Sequence, residues 1–89
     1  MAKGIVSDPQ YVTKLTAALK KTLKGAKIDH EQVRRDRYRF IVIWKKFEDM
    51  FHPERQRLVW DVADRVLAKD DIWKASMIIT MAPSEVPKD

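Results

Sequence analysis

The chain has 89 residues, with 18 Lys and Arg against 13 Asp and Glu, so its net charge is +5. This length supports one domain with one modest hydrophobic core, and it excludes a two-domain enzyme with a cleft between lobes. The absence of cysteine excludes disulfides, thiolate nucleophiles and cysteine-ligated metal centres. A core without disulfides suits a reducing compartment, so we expect a cytoplasmic protein.

The apolar residues are spread along the chain in short segments. No apolar run reaches the roughly 18 residues of a membrane span, and the opening MAKGIV is too short for a signal peptide. We therefore expect no membrane partner and a single domain over residues 1–89, with an ordered core over about 8–83 and short tails.

The first predicted element is a helix over about Pro9–Lys24. Ser7 or Asp8 would cap it, Pro9 suits the first helical position, and Gly25 suits the C′ position. The apolar residues fall on one arc, and four lysines fall on the opposite side: Lys14, Lys20, Lys21 and Lys24. The pattern predicts an amphipathic helix with an exposed lysine face.

Three strands and a second helix follow. Lys27–Arg34 alternates weakly, and Tyr38–Lys45 is rich in β-branched and aromatic residues, with a hairpin turn predicted between them. A helix is predicted over Pro53–Ala68, after a helical turn within 46–52, and a last strand over Lys74–Met81. The order α-β-β-α-β predicts an antiparallel hairpin and a right-handed crossover to a parallel third strand. We expect an α+β fold with a three-stranded mixed sheet and both helices packed on one face.

The second strand is apolar on both of its faces. Phe40, Val42 and Trp44 share one face, and Ile41 and Ile43 share the other. Because both helices cover one face, one set stays uncovered unless the tails or the segment 47–52 lies over it. An uncovered apolar stripe would be a docking surface for a protein partner or a second copy, which makes Ile41 and Ile43 candidate partner-binding residues.

The chain lacks the motifs of common enzymes. Its two glycines form no phosphate-binding loop, and its serines lie in no nucleophile elbow. His30 and His52 lack the spacing of a metal site and are weak candidates for ligands. These features indicate a non-enzymatic protein without a cofactor. Its tryptophans would either stack on bases or pack in the core.

The basic residues favour a polyanionic partner. Arginines cluster at the predicted hairpin, from Arg34 to Arg39, and Arg55 and Arg57 open the second helix, where backbone N–H groups favour anions. We expect contacts with the phosphates of DNA or RNA from six residues: Arg35, Arg37, Arg55, Arg57, Lys14 and Lys21. The alternative is a soluble surface that Asp29, Glu31, Asp36 and Glu48 partly neutralise.

A series of segments in the second half is more distinctive: FIVI at 40–43, FEDM at 47–50, RQRLVW at 55–60, residues 75–80, and PSE at 83–85. Together they resemble the BolA-like family. The resemblance implies an α-β-β-α-β fold with a short extra helical turn, related to type II KH domains. It also implies either nucleic-acid-linked regulation or docking to a monothiol glutaredoxin in iron–sulfur trafficking.

Several family positions carry other residue types here. Histidines with which family members share an iron–sulfur cluster fall on Arg39, Gln56 and Lys74, and the family's glycine falls on Asp49. A protonated lysine is a poor metal ligand, so the resemblance carries over the scaffold and its arginines rather than a cluster site. Lys74 stays a candidate partner-binding residue. The main hypothesis is a nucleic-acid-binding regulatory module, the alternative is a protein adaptor, and a third is a homodimer without a ligand.

Overall fold

The structure is a computed structural model, and it describes residues 9–87. The elements, in chain order, are α1 (Gln10–Thr22), β1 (Lys27–Arg34), β2 (Arg37–Ile43), a 3₁₀ helix (Lys45–Asp49), α2 (His52–Val66), α3 (Lys69–Ile72), β3 (Ala75–Met81) and a second 3₁₀ helix (Pro83–Glu85). Within the described residues, no helix has the length and apolar character needed to cross a bilayer.

Helix α1 begins one residue later than predicted. Pro9 is its N-cap, and the Pro9 carbonyl accepts hydrogen bonds from the amides of Val12 and Thr13 at 3.0 and 3.3 Å. The predicted caps Ser7 and Asp8 lie outside the described residues. The helix ends with Leu23 as its C-cap, and Gly25 follows at a φ of 87°, which favours glycine. Gly25 thus serves the turn into β1, and it lies one position beyond the C′ site it was predicted to occupy, because Lys24 follows the C-cap directly.

The sheet has the order β1-β2-β3 and confirms the predicted topology. Strands β1 and β2 are antiparallel, from Lys27 opposite Ile43 to Arg34 opposite Arg37. Strand β3 runs parallel to β2, from Ala75 beside Tyr38 to Met81 beside Ile43. The hairpin turn and the start of β3 therefore lie at the same end of the sheet.

The core lies between the helices and one face of the sheet. Strand β2 buries Tyr38, Phe40 and Val42, which pack against the apolar stripes of α1 and α2. The opposite face, which we call the open face, carries Ile41, Ile43, Met77, Ile79 and Met81, all of them partly exposed, with Met77 51% exposed. The segment after β2 directs Phe47 into the core, so Phe47 does not cover this stripe.

Three local features differ from the prediction. Strand β2 ends at Ile43 because the chain turns into the 3₁₀ helix that buries Phe47. The acidic segment after α2, for which no element was predicted, forms the single turn α3, whose first-turn Asp70 and Asp71 favour a helix start. The predicted tail after Pro83 contains a 3₁₀ helix that Glu85 ties to the core, because a buried arginine binds its carboxylate.

Candidate nucleic-acid interface

The β1–β2 hairpin presents arginines at one end of the sheet. Arg34 pairs with Arg37 across the hairpin, and Arg35 lies in the two-residue turn between them. The Gln32 side chain donates a 2.8 Å hydrogen bond to the Arg35 carbonyl, which fixes the turn. All three arginines are exposed, and the ion pairs described within 9–87 use Arg39, Arg55 and Lys74 instead. Their charges are therefore directed to solvent.

Trp73 lies beside this hairpin, at the end of α3. The Arg37 guanidinium is 4.6 Å from the centroid of the indole ring, and the Lys74 ammonium is 5.9 Å from it. Trp73 remains 52% exposed despite these contacts. We call Arg34, Arg35, Arg37, Trp73 and Lys74 the hairpin–α3 patch. A cationic surface with an exposed aromatic ring suits both phosphates and base faces.

Tyr11 joins α1 to the same end of the sheet. Its ring makes an edge-to-face contact with Tyr38 at 6.0 Å, and its hydroxyl donates a 3.5 Å hydrogen bond to the Asp36 carbonyl in the turn. Burial raises the pKa of Tyr11 to about 12, so the phenol stays neutral and keeps its proton. Tyr11 thus connects α1 to the hairpin turn.

Arg55 does not have the predicted role. It is 3% exposed, and its Nε and Nη2 donate to the carbonyls of Met50 and Phe47 at 3.0 and 2.7 Å. Its Nη1 and Nη2 also bind the two Glu85 carboxylate oxygens at 2.7 and 3.0 Å. A phosphate could reach this guanidinium only by displacing Glu85, so the predicted phosphate contact of Arg55 is wrong for this structure. Arg55 instead ties the C-terminal segment to the core.

The Arg55–Glu85 pair makes stability sensitive to acid. The hydrogen bond from Arg55, followed by that from the Ala82 amide, lowers the pKa of Glu85 from 4.5 to about 2. A lowered folded-state pKa contributes stability that is present above pH 4.5 and is lost as the pH falls through 2. Above pH 4.5 we expect the wild type to have a larger free energy of unfolding than E85Q. Urea titrations should show this difference shrinking as the pH falls from 4.5 to 2. A constant difference over that range would contradict the pairing.

The other predicted phosphate contacts do not join the patch. Strand β2 separates the hairpin from the start of α2, and its seven residues span about 23 Å. Arg57 is exposed on α2 and lines a shallow groove with Met50, Leu58 and two acidic residues, Glu54 and Asp61. Lys14 and Lys21 are exposed on α1, two turns apart. Of the six predicted residues, only Arg35 and Arg37 belong to the hairpin–α3 patch.

The predicted partner-binding residues also lie on two different surfaces. Ile41 and Ile43 lie on the open face. The Lys74 ammonium instead lies 5.9 Å from the Tyr11 ring, on the side of the sheet that α1 covers, and pairs with Asp71 at 3.2 Å. Lys74 therefore belongs to the hairpin–α3 patch, and a partner on the open face would meet Ile41 and Ile43 without it.

No protein-family model and no curated protein matches the sequence. Among solved structures, BolA1 from Arabidopsis thaliana matches 90% of this chain and 100% of its own length, with a TM-score of 0.68 and 20% identity. The BolA domain of SufE1 from the same plant matches with the same coverage, a TM-score of 0.64 and 17% identity. The chain has the BolA fold. The resemblance seen in its segments is thus confirmed at the level of the fold.

The BolA fold here carries other contacts where the family resemblance places histidines. Gln56 donates a 2.8 Å hydrogen bond to the Ile78 carbonyl of β3 and accepts one from the Trp60 indole at 3.1 Å. Arg39 pairs with Glu31 on the neighbouring strand. In this structure both side chains bind other residues of the fold.

The two histidines of this BolA-fold chain occupy other positions, one on β1 and one on α2, four residues before Gln56. The ring of His30 packs at 5.8 Å from Tyr38 and 6.2 Å from Phe40, and His52 is exposed at the start of α2. Within residues 9–87, no three His, Cys, Asp or Glu side chains group as a metal site would require. Nothing in this geometry strengthens either histidine as a ligand.

Sequence reasoning missed the pairing of Arg37 with Trp73. The two residues are 36 positions apart and share no motif. The predicted parallel pairing of the second and third strands could have indicated this contact, because parallel strands begin at the same end of a sheet. The Tyr38 amide donates to the Lys74 carbonyl at 3.0 Å, which places the residue before β3 beside the start of β2.

Proposed function

We propose that this protein is a small, non-enzymatic regulatory module with the BolA fold, which binds DNA or RNA through the hairpin–α3 patch. The observation that supports this function best is the set of exposed arginines, free of ion pairs within 9–87, beside the half-exposed ring of Trp73. Arginine suits this role because its planar guanidinium binds phosphate oxygens in a bidentate manner and also stacks on aromatic rings.

Charge elsewhere on the chain supports the same ligand. The net charge is +5, and residues 1–27 hold six lysines against one aspartate. The lysines of α1, including Lys14 and Lys21, are exposed and add to the positive field without a shared contact point. A field of this kind raises the rate and strength of encounter with a polyanion, while the patch supplies the direct contacts.

The test is the salt dependence of binding to a fluorescently labelled oligonucleotide, measured by anisotropy. Three phosphate contacts from Arg34, Arg35 and Arg37 would give a plot of log affinity against log salt with a slope of about −2 on a single strand. Binding that is undetectable at low salt would contradict the proposal. So would affinity that does not change between about 25 and 200 mM salt, a range over which the Debye length falls from about 20 to 7 Å.

A second candidate function, a protein adaptor in iron–sulfur or redox trafficking, is supported by the open face. Met77 is 51% exposed there, beside the partly exposed Ile41, Ile43 and Ile79. One of the structural neighbours is itself described as the BolA domain of a larger protein, SufE1. The partner proposed for this face is a monothiol glutaredoxin-type protein, with a second copy of this chain as the other occupant.

This second function predicts that M77D abolishes co-elution with a monothiol glutaredoxin in size-exclusion chromatography. Burying an unpaired carboxylate in an apolar interface is unfavourable, so M77D should weaken the complex. Met77 is exposed and contributes little to the stability of the fold. The control is T13D, which adds the same single negative charge at an exposed position of α1. Absence of co-elution for the wild-type protein would contradict the adaptor function, and a mass that rises with concentration would identify the homodimer instead.

A further inference from the structure

The three tryptophans differ sharply in their surroundings. The Trp44 indole donates to the Lys24 carbonyl at 2.9 Å, and the Trp60 indole donates to Gln56 at 3.1 Å. Both rings are half-buried and pack against the core. Trp73 is 52% exposed, although a large aromatic side chain is usually well buried. Among the three tryptophans, Trp73 therefore offers the most surface to a ligand.

The setting of Trp73 suits a flat, electron-rich ligand. Arg37 approaches the ring to 4.6 Å, which holds the guanidinium and the indole together as one surface. The Trp73 backbone forms the C-cap of α3 immediately before β3, so the ring is mounted between two regular elements. A surface held in place before binding loses little conformational freedom when a base stacks on it.

We propose that Trp73, with Arg37 against it, is a stacking platform for an unpaired nucleobase, so that the ligand of the hairpin–α3 patch is a single strand rather than a duplex. This inference rests on the proposed nucleic-acid function. Arg34 and Arg35 would then contact the phosphates on either side of the stacked base. A duplex presents its phosphates in the same way, but its base faces are stacked on each other and are closed to Trp73.

The experiment compares three ligands of equal length: a single strand, the same strand with abasic sites, and the matched duplex. The abasic strand keeps every phosphate and loses the stacking faces. We expect the single strand to bind the wild-type protein more tightly than either of the others. W73L should weaken binding of the single strand by about 5-fold to 100-fold. It should not change the affinity for the abasic strand or the slope of log affinity against log salt.

Two further variants and one spectroscopic signal sharpen the result. W73F keeps a π face and should recover part of the affinity that W73L loses. F51L, which removes the 80% exposed ring of Phe51 at the start of α2, is the matched control and should bind like the wild type. Stacking should also quench tryptophan fluorescence in the wild-type protein but not in W73F, whatever W73L does to folding.

The outcomes separate this inference from the function on which it rests. Equal affinity for the intact and abasic strands, tighter binding of the duplex, or fluorescence that does not change on binding would overturn the stacking platform and leave electrostatic nucleic-acid binding in place. Failure of all three ligands to bind at low salt would overturn both.

Discussion

Replacing Arg55 by methionine is expected to lower the free energy of unfolding by about 3 kcal/mol. Methionine fills much of the same space, but it leaves the carbonyls of Phe47 and Met50 without their donor. The cost lies near the low end for a broken buried ion pair, because the Glu85 side chain is 40% exposed and water can solvate it. Urea unfolding followed by circular dichroism measures the loss.

R57M is the matched control for this effect. Arg57 lies two residues further along the same helix but is exposed, so R57M should change the free energy of unfolding by less than about 0.5 kcal/mol. R55K separates charge from geometry, because one ammonium cannot reproduce the four hydrogen bonds of the guanidinium, and it should recover only part of the loss. Equal stability of R55M and R57M would contradict the structural role of Arg55.

The hairpin variant R34Q/R35Q/R37Q is expected to bind a single-stranded oligonucleotide about 10-fold to 100-fold more weakly at 50 mM salt, with the salt slope reduced by about 2. Glutamine keeps the polarity of these side chains without their charge, and the three positions are exposed, so the fold should be retained. The expected loss follows from removing direct phosphate contacts, and anisotropy titrations at four salt concentrations measure it.

A lysine variant with the same loss of charge shows whether position matters. K20Q/K21Q/K24Q on α1 also removes three positive charges, all from exposed side chains. It should weaken binding less than 10-fold, because these lysines contribute through the general field rather than through the hairpin–α3 patch. If both variants lose the same affinity, the ligand is held by net charge, and the patch has no special part in it.

Much of the fold follows from local sequence patterns. Lys27–Arg34 was predicted as a strand and is one, with the same bounds. The apolar faces of β2 and the spacing of apolar residues along α1 and α2 predicted where the core lies. The order of the elements predicted the parallel pairing of β3 with β2. Such features are local because hydrophobic periodicity and turn residues act within a few positions of each other.

The candidate site was less predictable, because its contacts join distant parts of the chain. The sequence shows Arg55 at a helix start, where an anion is favoured, but it does not show that Glu85, 30 residues later, supplies that anion. The same pattern that suggested a phosphate site is thus satisfied internally. The contact between Trp73 and Arg37 could be predicted only once the register of β3 against β2 was known.

An NMR titration of the ¹⁵N-labelled protein with a short single strand would locate the binding surface directly. We expect concentration-dependent shifts in the amides of residues 34–37 and 73–74 and in the Trp73 indole N–H. We expect little change at Arg55 and on the open face around Ile41, Ile43 and Met77. Shifts confined to the open face, or no shifts at low salt, would contradict binding through the hairpin–α3 patch.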